Sequence, residues 1–488
     1  MKQQVGIMLI LLATSISAMA QNERDAFRYA QYSPTGTARY SALAGSMGAF
    51  GSDFSCLSAG NPAGIGLFKR FEFTITPALS FDRTSTVYNG EELSGVKTEF
   101  NLNNLGVVFA GFSNTGTGWK NVQFATGLNN LARYNESSFA SGQNDGNLHG
   151  TTNFFDYIAA SANGTKYTSL SGFADEAFYY WLIDTLPGEN DRYYSLVDAN
   201  FHQQQIKKTN GYLNEYVFSV GGNYNDKLFL GATLGIPFFN YYQSITYTES
   251  RNPFYDSLIV SEEFRSKATG INLKLGVIYQ PVKYMRVGAA FHTPTLYPKV
   301  KEDFHTNINV WDVLVDTNKY DDILVDNGLS HFNYRLHTPS RAMANIAFIY
   351  KSLGFINVDY EYIDYTFSKL YSDSYSFSNE NTRISKYYKG THTIRAGGEL
   401  NLSPLVLRLG YAYSSNPYNS KELEKDGSRH TISGGIGIKG KSFFADLAYM
   451  YRFSKDKDVF YDHFSINPYT TQAVNQLFAL TVGWKIRM

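Results

Sequence analysis

Apolar and polar residues alternate along most of this chain, and the alternation starts abruptly. Phe71, Phe73, Ile75, Leu79 and Phe81 share one parity, against Glu72, Thr74, Thr76, Ser80 and Asp82 on the other. A period of two is that of a β-strand with one apolar face. The pattern returns in Ile356, Val358, Tyr360 and Tyr362, and in Leu405, Leu407, Leu409, Tyr411 and Tyr413. It recurs in Phe443, Ala445, Leu447, Tyr449 and Tyr451, and last in Phe478, Leu480, Val482, Trp484 and Ile486. About fourteen such segments follow Lys69. A soluble sandwich can produce some of this alternation, so no single strand decides the fold.

The connections discriminate better. Short turns fall at Ser113–Gly118, Asn225–Asp226, Pro281–Lys283, Ser352–Leu353, Leu402–Pro404 and Lys439–Lys441. Between them lie longer, polar stretches at 83–96, 134–212, 248–261, 301–330, 372–388, 415–428 and 456–474. Strict alternation of short and long connections is the asymmetry of an outer-membrane barrel, whose periplasmic turns are short and whose outer loops are long. The reading is all-β: a transmembrane antiparallel β-barrel of about fourteen strands with both termini on the periplasmic side. Within the longest loop, Asp175–Leu186 has the length of an amphipathic helix, while 301–330 and 456–474 read as polar, mobile loops.

The chain before Lys69 has a different character. Residues 1–20 carry Lys2, an apolar run from Val5 to Ala13 and the small-x-small end Ala18-Met19-Ala20, the pattern of a secretory signal peptide. Residues 21–67 are dominated by small side chains. A short helix is expected over Asn22–Tyr32, broken by Pro34-Thr35-Gly36, then a second over Ala38–Phe50, with Asp53–Pro62 turning toward the wall. Such a segment suits a partly helical plug, or hatch, inside the barrel formed by 68–488.

Composition sharpens this picture. The 38 Tyr and 36 Phe make aromatics 16% of the chain, yet mean hydropathy is only −0.28. A barrel reconciles the two, because only every second residue meets lipid. A net charge of zero gives no reason to expect a nucleic-acid partner. Cys56 is the sole cysteine, which excludes an intrachain disulfide. The nine histidines are scattered, so no metal or other cofactor is expected. The lumen side of the strands carries Arg286, His292, Asp359, Glu361, Arg395, Glu399, Arg408, Asp446 and Arg452, read as a solvated ionic lattice. No Gly-x-Ser-x-Gly occurs and no nucleophile–base–orienter set can be assembled, so no catalytic residues and no enzyme are expected.

The run from Arg39-Tyr40-Ser41-Ala42-Leu43-Ala44-Gly45-Ser46 through Asp53 to Asn61-Pro62-Ala63-Gly64 resembles the hatch of the FadL/TodX family of outer-membrane transporters. The resemblance continues in Thr338-Pro339-Ser340, in Asp359-Tyr360-Glu361-Tyr362 and in Leu407-Arg408-Leu409-Gly410-Tyr411-Ala412-Tyr413-Ser414. It implies a fourteen-stranded barrel whose hatch carries its motif on Asn61, Pro62 and Ala63, with Gly64 completing the turn. It also implies a third strand, here Trp119–Tyr134, that bends to open a side port; Gly127, Asn129 and Asn130 are the candidate break, or else an ordinary bulge. The implied ligand is a long-chain fatty acid or another hydrophobic small molecule, with outer-membrane lipids and lipopolysaccharide around the barrel. An alternative is a family-like barrel that docks an exported protein of a secretion system on its loops. The chain departs from the family in the length of 134–212 and in ending at Met488 instead of an aromatic residue.

Overall fold

The structure is a computed structural model that describes residues 23–486 except 112–117, 146–152, 198–199, 317–318, 420–425 and 462–467. The expected signal peptide, most of the 113–118 turn and the chain end at Met488 lie outside the described residues. The first five strands are β1 Phe71–Tyr88, β2 Glu91–Ala110, β3 Trp119–Arg133 continuing as Glu136–Asp145, β4 Asn200–Tyr224 and β5 Leu228–Asn252. Three interrupted strands follow: β6 Tyr255–Thr269 with Asn272–Val282, β7 Met285–His292 with Leu296–Asp316, and β8 Lys319–His337 with Arg341–Tyr350. The rest are β9 Gly354–Asp364, β10 Gly390–Leu402, β11 Leu405–Ser414, β12 Arg429–Lys439, β13 Phe443–Asp458 and β14 Tyr469–Ile486. Neighbours pair antiparallel in chain order, and β14 returns to β1 from Ile486 opposite Phe71 to Thr470 opposite Val87. The barrel is therefore closed, with fourteen strands.

The period-two pattern resolves into two surfaces. Phe100, Leu105, Phe124, Ile356, Leu409, Ile436 and Trp484 are exposed on the outer wall, while Thr76, Ser80, Asn104, Asn357 and Thr481 are buried inside. Aromatic pairs mark the short-turn rim, with Trp119 beside Tyr224 at 5.7 Å and Phe443 beside Trp484 at 5.8 Å. This is the aromatic girdle of a barrel meeting a membrane interface. Among the described residues no helix is long and apolar enough to cross a membrane.

Several expected long loops are strands instead. The 83–96 connection is a hairpin tip at Asn89-Gly90, and residues 301–316 and 319–330 are paired strand. Both faces of these outer extensions meet water or other protein, so the apolar alternation that marks a lipid-facing strand is lost. The 134–212 segment contributes the outer part of β3 and most of β4, and between them builds a small roof. It contains α4 (Phe154–Ala162), α5 (Phe173–Tyr179) and a hairpin pairing Ile183–Thr185 with Tyr193–Ser195. The helix expected over Asp175–Leu186 is thus displaced and short, ending where Trp181 takes φ +56°. The roof has its own apolar core, in which Phe155, Phe173, Tyr255, Leu258 and Val310 are buried.

Residues 23–67 fill the other half of the lumen. Helix α1 spans Glu23–Arg28, α2 only Ala38–Ala42, and α3 Phe54–Ala59. The expected helix over Ala38–Phe50 fails because Ala44 and Gly45 turn to φ +50° and +79°. A left-handed residue ends a helix, and glycine accepts that conformation freely. The expected turn over Asp53–Pro62 contains the short helix α3, which Asp53 caps by accepting from the Ser55 amide at 2.9 Å.

Candidate functional site

The hatch meets the wall through directional contacts set on glycine. Asn61 opens a 3-10 turn over Pro62–Leu67, its Oδ1 accepting from the Ala63 amide at 3.0 Å. Its Nδ2 donates to the carbonyls of Val277 and Ala289 and to Asn345 Oδ1, at 3.1–3.2 Å. One side chain thus joins β6, β7 and β8. The turn can approach this closely because Gly231, Gly276 and Gly288 face it. A Cβ on Gly276 would lie 2.1 Å from Asn61 Oδ1, and one on Gly231 would lie 2.2 Å from the Pro62 carbonyl oxygen. A glycine inside a strand often marks such an approach of another backbone. Sequence reading singled out Asn61, Pro62, Ala63 and Gly64 but missed these wall glycines. The available signal was glycine on the lumen parity of adjacent strands.

Most of the lumen charges serve the same anchoring, while Glu361, Arg395 and Arg452 line cavities. Arg39 Nε donates to Glu399 at 2.7 Å, and Glu399 also pairs with Arg408, which reaches Asp446 at 2.7 Å. Arg408 and Asp446 are almost fully buried. Asp359 accepts from the Gly48 amide at 2.9 Å, Arg286 donates to the Phe50 carbonyl at 2.9 Å, and His292 Nε2 meets the Gly60 carbonyl oxygen at 2.8 Å. Arg395 donates to Glu361 at 3.0 Å. Lys274, not anticipated, donates to the Ser58 carbonyl at 2.6 Å and pairs with Glu215, a second buried anchor.

The third strand changes partners within the wall. The β2–β3 ladder runs from Ala110 opposite Gln123 to Asn104 opposite Asn129 and stops. Gly127 lies inside this ladder, opposite both Gly106 and Val217, so the strand is regular there. Its lack of a side chain has another use: Phe54 of α3 packs against Gly106 and Gly127, where added Cβ atoms would lie 2.5 and 2.7 Å from its ring. Past Asn129, β3 keeps only β4, with a register shift between Asn130 and Ala132. Its continuation Glu136–Asp145 lies behind the β1–β2 hairpin, where Asn89 donates to the Gln143 carbonyl at 3.0 Å. The wall therefore has an unpaired seam between the outer parts of β2 and β3.

The hatch holds that seam. Thr35 donates to the Asn130 carbonyl at 3.0 Å and the Ser33 amide to the Leu131 carbonyl at 2.7 Å. Ser55 Oγ and Asn104 Nδ2 both donate to Asn129 Oδ1, at 3.1 and 3.3 Å. Two polar cavities lie beside the first hatch segment. One, lined by Ser33, Asp82, Arg133, Asn135, Arg452 and Asn475, sits at the seam. The other, with Gln31, Arg341, Glu361, Arg395 and Arg429, shares Arg452 with it.

Compared by sequence, the chain matches no family profile and no curated protein. Compared by structure, it is similar to a FadL homologue of Pseudomonas aeruginosa, with TM-score 0.59 and 13% identity over 94% of this chain and all of the other. The toluene transporter TodX of Pseudomonas putida aligns with TM-score 0.52 and 10% identity, over 93% of this chain and 99% of TodX. The Ralstonia pickettii toluene transporter TbuX aligns with TM-score 0.50 and 13% identity, over 94% of this chain and all of TbuX. The fold is that of the FadL/TodX-type barrel, shared over nearly its whole length. Its closed wall, apolar belt and aromatic rim are those of a protein of the Gram-negative outer membrane.

Proposed function

We propose that this protein is a passive outer-membrane transporter for hydrophobic small molecules, such as long-chain fatty acids. Ligand is captured among the outer extensions, held beside the hatch, and released sideways through the seam between β2 and β3. The observation that carries this reading is the end of the β2–β3 ladder at Asn104–Asn129, with the hatch residues Thr35 and Ser55 bonded to Asn130 and Asn129. A small shift of the hatch then alters the seam directly, and Asn61–Gly64 supplies the hinge on the opposite wall. Transfer of apolar area out of water drives the passage, at about 25 cal/mol per Å². An acyl chain gains several kcal/mol in this way without an energy source. The fold neighbours TodX and TbuX are toluene transporters, which supports a hydrophobic small-molecule cargo here.

The test combines Asn61→Ala with Pro62→Ala, which removes the three-strand clamp. Uptake of radiolabelled oleate by cells should fall severalfold while the barrel remains heat-modifiable on gels. Unchanged uptake in a correctly assembled double variant removes the hatch from the account. A second reading, docking of an exported protein on the roof, is favoured by Tyr179 and Trp181, 74% and 68% exposed on its surface. Deleting residues 154–197 should abolish partner binding under that reading and only weaken capture under the first.

A further inference from the structure

Charges inside the lumen are balanced in one region and unbalanced in another. Arg39, Arg341, Arg395 and Arg408 each lie within 4.0 Å of a glutamate or aspartate. Arg133, Arg429 and Arg452 have no carboxylate within that distance among the described residues. Arg452 donates to Asn475 Oδ1 at 3.0 and 3.2 Å and to the Ser33 hydroxyl, and Arg429 donates to Gln31 Oε1. Arg133 Nη1 is buried and has no partner, and both amide atoms of Asn135, a residue 8% exposed, are equally unpartnered. The three arginines line two neighbouring cavities that share Arg452 in their walls. Arg429 and Arg452 are diagonal neighbours on the β12–β13 ladder, since Arg429 opposes Ser454 and Thr431 opposes Arg452. Across both cavities five arginines face only two carboxylates, Asp82 and Glu361.

Taking charge out of water is costly unless it is paired, and unsatisfied buried donors carry a penalty of their own. Resting on the transport reading, we propose that this arginine-lined cavity is a head-group site for an amphiphile bearing a phosphate monoester. A carboxylate has one charge and two oxygens, too few to offset three guanidiniums that have only neutral partners or none. A phosphate monoester carries close to two negative charges at neutral pH and three acceptor oxygens, and arginine forks match it in a bidentate manner. Arg133 and Asn135 stand a few residues beyond Asn129, where the β2–β3 ladder ends, so a head group held there places its tail at the seam.

The experiment is calorimetric titration of the full-length barrel in phosphatidylcholine nanodiscs. Its probes are octyl phosphate, octanoate and inorganic phosphate, each below any micelle concentration. Octyl phosphate should bind at least about tenfold more tightly than either of the others, a difference of about 1.4 kcal/mol. Arg452→Gln and, separately, Arg133→Gln should each erase that preference while the barrel stays heat-modifiable; Arg192→Gln on the roof should preserve it. Octanoate bound as tightly as octyl phosphate overturns the phosphate site and leaves the transport reading standing. Inorganic phosphate bound as tightly as octyl phosphate overturns the amphiphile and assigns the cavity to free phosphate. Failure of oleate uptake together with tight octyl phosphate binding overturns the transport reading but not the site.

Discussion

The hatch and the roof close the two ends of the same tube with different balances of the same forces. The hatch stacks Tyr29 on Phe239 at 3.8 Å and Phe50 on Phe355 at 3.6 Å, and adds side-chain hydrogen bonds and ion pairs that reach the wall through glycine windows. These polar contacts are directional and short, and each buried group that loses its partner is left uncompensated. The roof is held by rings: Phe154 beside Phe173 at 6.1 Å, Phe155 beside Tyr255 at 5.7 Å and Tyr247 beside Phe460 at 5.6 Å. Apolar packing is non-directional and tolerates sliding. The difference teaches that a broken hatch contact strands a buried polar group, whereas a broken roof contact gives up apolar area.

That contrast breaks most visibly at a wall glycine. Gly231→Val drives a side chain into the Pro62 carbonyl and should expel the hatch, giving open-channel conductance in planar bilayers and sensitivity to large antibiotics. Gly398→Val, whose Cβ would meet nothing nearer than 3.6 Å, should leave conductance unchanged. If both variants conduct alike, the glycine windows are not what seats the hatch. Next in size, Arg408→Met strands Asp446, while Glu399 keeps Arg39 and Lys439, and should cost about 3–5 kcal/mol, read as an earlier heat-modification transition. On the roof, Phe155→Ala should cost about 3 kcal/mol locally. It should speed amide exchange over Phe154–Ala162 without moving the barrel transition; a shifted barrel transition would join the two ends into one cooperative unit.

The smallest expected effect is a pH dependence of the roof. Glu249, on the outer extension of β5, accepts from the hydroxyls of Tyr247 and Tyr255 at 2.6 Å and from the Phe154 amide at 2.8 Å. Burial outweighs these donors and pushes its carboxyl up to about 7. The closed roof therefore binds a proton that the open roof releases above the ordinary glutamate range. Its stability is fully present below about pH 4.5 and declines as pH rises toward 7, by at most about 3 kcal/mol. Exchange over Phe154–Ala162 should be slower at pH 5 than at pH 8 after correction for intrinsic rates, and Glu249→Gln should flatten that difference.

Fold class was legible because lipid imposes a period of two and the barrel imposes alternating connection lengths. The outer strands were not, since water on their faces removes the lipid-facing constraint and leaves polar stretches that read as loops. In the hatch, small residues suggested a long helix, but Ala44 and Gly45 in left-handed conformation are invisible to composition. Asn61–Gly64 stood out by its own chemistry. Its glycine sockets and the cavities lined by Arg133, Arg429 and Arg452 did not, because both are formed by residues more than a hundred positions apart in the chain.

The height of the wall has one further consequence. β4 and β5 are each 25 residues long and pair from Tyr224 opposite Leu228 to His202 opposite Ser250. About 9–11 residues suffice to cross a bilayer, so more than half of each strand rises clear of the lipid. The protein is a chimney whose cap stands well above the bilayer surface.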